Sequence, residues 1–267
     1  TAPNKWGSSQ AGLYETTKIR PDWWRSYNDP MLTGIIEAAA ISNKDLQQAA
    51  ARVREVRALR QVAASTLFPD IGVNASALKE TISENGRIPA GAIPAIQRRR
   101  DVFESGFDAS WEIDVFGGRR SQVEAADARV AVIEEAENAL QLSILAETAR
   151  NYLELRGAQR QLALIEKNLV LQNRALDLTK DKFRVGAGTE LEVVRAEARL
   201  RTTQARIPNL NAEIAAAAFR VSVLTGQQPA ALLDDLLAEK PLPAPPDSVP
   251  VGMPSDLLRR RPDIRKA

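Results

Sequence analysis

Carboxylates are the side chains of this sequence that are best suited to chemistry. Asp108, Glu112 and Asp114 recur at even spacing, and Asp234 is followed directly by Asp235. Paired carboxylates serve acid–base catalysis when they converge on one reacting group. Even spacing instead sets the first three along one face of a strand, which favours a polar wall over a reaction centre. Two adjacent acids without further ligands are weak evidence for a metal site, because oxygen-bound cations take more ligands.

The sequence lacks both Cys and His. Their absence removes thiolate nucleophiles, Ser-His-Asp triads, zinc sites built on either residue, and disulfides. The 36 Lys and Arg residues nearly balance the 34 Asp and Glu residues, for a net charge of +2. The tight basic runs, at 98–100 and 259–261, are short. We therefore predict that the protein is not an enzyme, takes no cofactor or metal, and does not bind nucleic acid.

The first helical pattern begins at Pro30. Proline suits the first turn of a helix, and Asp29 is placed to cap it. Apolar residues then recur at steps of three and four, and the pattern restarts at Ser42 or Asn43. We predict a helical segment over residues 30–68. No run of about 18 apolar residues occurs, so we expect no transmembrane helix.

The period changes to two residues over 71–78 and again over 107–115, on either side of a loop rich in Gly and Pro. This alternation predicts two strands, each with one apolar and one polar face. In the second run the apolar positions are Phe107, Ala109, Trp111 and Ile113, and the polar positions are Asp108, Ser110, Glu112 and Asp114. Two arrangements satisfy the pattern: a soluble hairpin with one face on a core, and a membrane barrel with lipid outside and a wet lumen inside.

A long stretch without proline follows Gly117-Gly118. Residues 119–183 are rich in good helix formers and contain a single glycine, Gly157. A helix of some 65 residues would be roughly 95 Å long, which is typical of coiled coils and other extended helical assemblies.

A reversal and a second helix come next. Gly186 and Gly188 permit a tight turn, and Thr189 is placed to cap the helix that follows. That helix is predicted to run to Leu224, with an interruption at Pro208. The two helices form a long antiparallel hairpin with its tip at residues 184–190.

A short internal repeat connects the two ends of the pattern. Residues 43–49 align with residues 261–267 at an offset of 218, with Asp45 matching Asp263 and Ala49 matching Ala267. We expect the second segment to be the first residues of a second repeat, in a natural protein nearly twice as long.

Several short motifs, in their order and spacing, resemble one family. They are Trp23-Trp24, Asp29-Pro30, Trp111-Glu112-Ile113-Asp114, Phe116-Gly117, Phe183-Arg184-Val185-Gly186, Arg195-Ala196-Glu197, Pro254-Ser255-Asp256-Leu257-Leu258 and Arg261-Pro262-Asp263. From Trp23 onward the sequence is similar to the TolC-like outer-membrane efflux proteins, in particular the NodT-type branch.

The resemblance implies a homotrimer in the outer membrane of a Gram-negative bacterium, extending into the periplasm. Each full-length protomer would give four strands to a shared barrel and helices to a periplasmic tunnel, and the trimer would export small molecules. The tip would meet a periplasmic adaptor, and an inner-membrane pump would feed the tunnel. The tip motif maps onto Arg184, Val185, Gly186 and Ala187, with Gly188 and Thr189 completing the turn. Many members begin with a lipidated Cys, which this sequence does not contain, so a lipid anchor stays an open alternative.

The predicted fold is therefore mainly α with a two-stranded β-hairpin. Its parts are an irregular segment (1–29), tunnel helices (30–68), barrel strands (69–116), the helical hairpin (117–226) and an equatorial segment with the start of the second repeat (227–267). The alternative is a soluble structural or adaptor-like coiled-coil protein with a small β-domain.

Overall fold

The computed structural model describes residues 14–15, 21–81, 99–250 and 253–267. Within them a 3₁₀ helix, Trp23–Tyr27, precedes the α-helices. In chain order the α-helices are α1 (Pro30–Ser42), α2 (Lys44–Ser65), α3 (Gly118–Arg184), α4 (Glu190–Gln204), α5 (Ile207–Leu224), α6 (Leu233–Leu237), α7 (Pro254–Arg260) and α8 (Pro262–Lys266). The strands are β1 (Tyr14–Glu15), β2 (Asp70–Thr81), β3 (Arg99–Ser110) and β4 (Val249–Pro250).

The predicted mainly helical fold with one antiparallel hairpin is confirmed. Strands β2 and β3 pair antiparallel over their full length, and the two-residue strands β1 and β4 pair in parallel. The chain divides into two compact units. One holds the described residues up to Arg54 and from Ala131 onward, and the other holds residues 55–130.

The core of the first unit forms around α1. The Asp29 carboxylate accepts hydrogen bonds from the amides of Met31 (2.8 Å) and Leu32 (3.0 Å), and so caps the helix as expected. Four positions of α1 at helical spacing are buried, and three of them pack with residues of α3, α5 and α6. The buried members of this cluster are Leu32, Ile35, Ile36, Leu145, Ala149, Tyr152, Leu155, Ala217, Ala218, Val221 and Leu236.

Asn43 separates α1 from α2 and ties this junction to the end of α5. Its side chain is almost fully buried, and its oxygen accepts from the amides of Asp45 (3.0 Å) and Leu46 (3.1 Å). Its amide nitrogen donates to the carbonyl of Leu224 at 2.9 Å. One side chain therefore caps one helix and binds the last carbonyl of another, and the predicted restart at this position is confirmed.

Arg156 is a fully buried cation that holds the segment around α6 against α3. Its guanidinium donates to the carbonyls of Leu236 (3.2 Å) and Ala238 (2.8 Å) and lies 5.0 Å from the ring centroid of Tyr152. The Tyr152 hydroxyl donates to Asp29 at 2.7 Å, and burial raises its pKa to about 12. A buried charge is tolerated only when it is well bonded, so this cluster fixes the α6 segment in place.

The two limbs of the helical hairpin differ in continuity. Helix α3 runs unbroken for 67 residues, whereas the return limb is interrupted at Ala205 and Arg206. Pro208 lacks an amide hydrogen, and the Arg206 amide bonds three residues back to Thr203 at 3.2 Å. The predicted interruption at this proline is confirmed.

Gly226 gives a stability prediction for the junction. Its φ is +72°, and a Cβ there would lie 2.1 Å from the Ser42 carbonyl oxygen. We expect Gly226→Ala to lower the free energy of unfolding by at least about 2 kcal/mol, through backbone strain and the clash. Gly157→Ala is the control, because nothing lies within 4 Å of that position in the middle of α3. It should raise stability by up to about 1 kcal/mol. Equal midpoints for the two variants in urea unfolding would contradict the described junction.

Candidate functional surfaces: the β-hairpin and the helical tip

The register of the hairpin puts most of its large apolar side chains on one face, and the Leu78–Val102 pair lies on the other. Directly opposed residues of antiparallel strands point to the same side. The apolar pairs are Ile71 with Ala109, Val73 with Phe107, and Ala77 with Phe103, and Ala75 opposite Ser105 lies among them. The apolar positions of the two alternating runs predicted from the sequence therefore lie on the same face of the hairpin.

This apolar face is uncovered in the described structure. Val73 is 83% exposed, Phe107 is 82% exposed and Phe103 is 80% exposed. Ile71 is exposed as well. A strand face that packed on a soluble core would bury such side chains, and no core covers this face within the described residues.

The opposite face of the hairpin is polar and acidic. Its first four pairs carry three carboxylates and no Lys or Arg. Gly72 lies opposite Asp108, and a Cβ on that glycine would come within 2.9 Å of the Asp108 carboxylate. The small residue therefore leaves room for the acid on this face. The residues of these pairs are Asp70, Gly72, Asn74, Ser76, Glu104, Gly106, Asp108 and Ser110.

The second strand ends earlier in the structure than the alternating pattern predicted. We expected alternation to continue through Trp111, Glu112, Ile113 and Asp114, but β3 ends at Ser110. The physical reason is the partner strand: Ser110 pairs with Asp70, and the residue before Asp70 is a proline, which has no amide hydrogen to donate. These four residues therefore do not belong to the strand faces on which the sequence placed them.

The residues beyond β3 instead join the strands to the helices. The Trp111 indole donates to the carbonyl of Leu67 at 3.1 Å, and Arg119 pairs with Glu112 and donates to the carbonyl of Thr66 at 2.9 Å. This role of Arg119 was not predicted from the sequence, in which its position directly after Gly117-Gly118 was the available signal.

Asp114 binds the first turn of α3. Its carboxylate accepts from the Arg120 amide at 2.9 Å, and the guanidinium of Arg120 lies 3.5 Å away. The amide hydrogen bond is the largest cause that lowers the pKa of Asp114 below its usual value. The acid that we had placed on a lumen wall therefore serves as a helix cap.

The helical tip forms a tight, well-bonded turn. The amide of Ala187 donates to the carbonyl of Lys182 at 2.8 Å, and Gly186 adopts a φ of +75°, as a C-cap glycine does. Thr189 begins α4 with a reciprocal cap. Its hydroxyl accepts from the Glu192 amide at 3.4 Å, while the Glu192 carboxylate accepts from the Thr189 amide at 2.9 Å. Val185 is 76% exposed at the apex.

Comparison with known proteins decides the family. Residues 35–227 match the model of the family described as "Outer membrane efflux protein". The chain belongs to this family. The resemblance to TolC-like efflux proteins, given above on short motifs, is confirmed.

Efflux-family relatives match along most of the chain. "Nodulation protein T" of Rhizobium leguminosarum bv. trifolii is 32% identical over 92% of this chain and 51% of its own length. "Pyoverdine export outer membrane protein OpmQ" of Pseudomonas aeruginosa is 27% identical over 100% of this chain and 56% of its own length. The chain thus spans about half the length of the curated relatives it matches.

Solved structures of outer-membrane channels share the fold. The outer-membrane channel OprN superposes with a TM-score of 0.85 at 36% identity, over 100% of this chain and 58% of its own. The CmeC outer membrane channel of Campylobacter jejuni superposes with a TM-score of 0.80 at 23% identity, over 100% of this chain and 56% of its own. The second likeness supports the fold alone.

The other acidic residues considered as a site were Asp234 and Asp235. They lie in the first turn of the five-residue helix α6. Across the described ranges, no group of three or more acidic side chains is placed to hold a metal ion. None of the helices in the described part of the chain is long and apolar enough to cross a membrane.

The cap at Thr189 gives a local prediction for the tip. Thr189→Ala removes the hydroxyl that accepts from the Glu192 amide, at a cost of about 1 kcal/mol. We expect amide hydrogen exchange in the first turn of α4 to become about fivefold faster, with α3 exchange unchanged. Thr189→Ser keeps the acceptor and should restore slow exchange. Fast exchange in the serine variant as well would show that the hydroxyl does not hold this turn.

Proposed function

We propose that this chain is part of the outer-membrane channel of a tripartite efflux system, which exports small molecules across the periplasm and the outer membrane. Family membership and the OprN fold support the channel, and the exposed apolar face of the β2–β3 hairpin is the observation that carries the membrane assignment. The channel in this proposal is a homotrimer. It acts by shape, wall chemistry and gating, and needs no catalytic group.

The hairpin is proposed to lie in the outer-membrane barrel with its apolar face toward lipid. Phe107 and Ala109 face lipid, and Asp108 and Ser110 face the lumen. Outward apolar and inward polar side chains alternate in this way in membrane barrels. Twelve residues at about 3.3 Å each, tilted by about 40°, give roughly 30 Å of height, which is sufficient for a bilayer core.

The segment after β3 is proposed to mark the membrane boundary nearest the helices. Trp111, Ile113, Val115 and Phe116 are exposed and apolar, and so is Phe68 on the other side of the hairpin base. Their backbone lies outside the β2–β3 ladder, and unpaired backbone is not tolerated in hydrocarbon. Aromatic side chains concentrate where lipid meets water. Trp111 and Ile113 therefore stay near lipid in this proposal, but at its edge rather than on a strand.

Spin labels on neighbouring strand residues test the lipid face. In the intact protein reconstituted in lipid, a label at Phe107 should be reached by oxygen, which partitions into the bilayer, more than by a water-soluble nickel complex. A label at Asp108 should show the reverse preference. Val73 and Asn74 on β2 form a second matched pair. Equal accessibility within both pairs would contradict the barrel assignment.

The tip is proposed to contact a periplasmic adaptor protein. Arg184 to Ala187 match the tip motif of the family and Gly188 and Thr189 complete the turn, in which the Val185 side chain is exposed. The adaptor links the channel to an inner-membrane pump. The rigid caps on both sides of the turn support a preformed contact surface, because little order has to be gained on binding.

Photocrosslinking tests the tip contact. A benzophenone side chain in place of Val185 should crosslink to a co-expressed adaptor. The control carries the same side chain in place of Leu142, an exposed residue of α3 that lies far from the tip. We expect at least several-fold more crosslinking from position 185 than from position 142. Adaptor crosslinks that form from Leu142 and not from Val185 would remove the tip assignment.

The alternative of a soluble coiled-coil protein makes a different prediction for cell fractionation. The intact gene product would then remain in the supernatant after the membranes are sedimented. We expect it instead with the outer-membrane fraction, as a trimer that resists extraction by salt.

A further inference from the structure

The apolar face of the hairpin changes character at the end farthest from the helices. Beyond the Ala77–Phe103 pair, the same face continues with Lys79 opposite Asp101 and Thr81 opposite Arg99. Four consecutive pairs without a charge are thus followed by two pairs that carry two cations and one acid. The net charge of this end is therefore positive, and the residues are exposed.

The two faces of the hairpin treat their cations differently at this end. On the polar face, Arg100 pairs with Glu80 at 2.6 Å, which neutralises it. On the apolar face, Lys79 lies 3.8 Å from Asp101, and among the described residues no carboxylate forms an ion pair with Arg99. Within the described part of the chain, the two neighbouring arginines therefore differ: Arg100 forms an ion pair with a carboxylate, and Arg99 does not.

The position of these cations matches the far edge of a membrane. The pair of Thr81 and Arg99 lies ten residues beyond Ile71, which is a distance of about 33 Å along the strand. At a tilt of about 40° this is about 25 Å of height, which is the thickness of the apolar band on outer-membrane barrels. The Lys79 and Arg99 side chains would thus reach the headgroups and not the hydrocarbon.

We propose that Lys79 and Arg99 bind the phosphate groups of a phosphorylated glycolipid in the outer leaflet, on the lipid side of the hairpin. This inference rests on the proposed outer-membrane location of the chain. Guanidinium and ammonium groups are suited to phosphate, through charge-assisted hydrogen bonds. Asp101 lies opposite Lys79 and two residues from Arg99, so the three side chains carry a net charge of +1. A headgroup with two phosphates can offer one to each cation and should bind more tightly than a headgroup with one.

Native mass spectrometry of the intact protein in detergent tests the proposal, with diphosphoryl lipid A as the probe. Arg99→Gln should raise the Kd severalfold, and the double variant K79Q/R99Q about tenfold. Arg100→Gln is the matched control, because it removes the same charge from the adjacent residue on the other face. It should leave the Kd within twofold of the parent. Monophosphoryl lipid A should bind more weakly than the diphosphoryl form.

The outcomes separate this proposal from the channel assignment. Unchanged binding by the double variant, or equal weakening by Arg99→Gln and Arg100→Gln, would overturn the glycolipid contact. Full displacement of the lipid by 10-fold molar excess of inorganic phosphate would indicate a free-anion site, and would also overturn it. If Phe107 and Asp108 labels show the expected lipid and water preferences while the binding is unchanged, the channel assignment stands and only the glycolipid contact fails. If the labels show no preference, the channel assignment itself fails.

Discussion

The antiparallel register of β2 and β3 is the constraint on which the functional account depends. Because Val73 lies opposite Phe107 and Gly72 opposite Asp108, the large apolar side chains fall on one face and the acids on the other over the pairs from Asp70–Ser110 to Ala77–Phe103. A shift of one residue would mix the two sets. The apolar face is exposed in the structure. Exposing a continuous apolar surface to water costs free energy, which contact with lipid would remove. We therefore propose lipid as the surroundings of this face.

The helical part of the chain is held by a few buried polar groups and not by apolar packing alone. Asn43 joins the α1–α2 junction to the end of α5, and Arg156 joins α3 to the segment around α6. Both side chains are buried and bonded to backbone carbonyls, which have no other good partner at a helix end. By contrast, α4 near the tip has one buried residue, Leu200. The buried polar contacts therefore hold the base of the hairpin, whereas the turn at its tip is held by local caps.

Much of this architecture could be predicted from the sequence because its signals are local and long. The helix caps at Asp29 and Thr189, the interruption at Pro208 and the period-two runs each depend on residues within a few positions of one another. The end of β3 could not be predicted in this way, because alternation persists to Val115 and only the pairing with β2 shows that no partner remains beyond Asp70. The roles of Arg119 and Arg156 were also missed, since their partners lie 53 to 82 residues away in sequence.

The structure of the intact natural protein in a lipid nanodisc, determined by electron cryomicroscopy, would show directly what covers the apolar face of the hairpin. We expect a trimer in which Val73 and Phe107 contact the density of annular lipid while Asp108 faces a water-filled lumen. A monomer, or a hairpin whose apolar face packs against protein away from the bilayer, would contradict it.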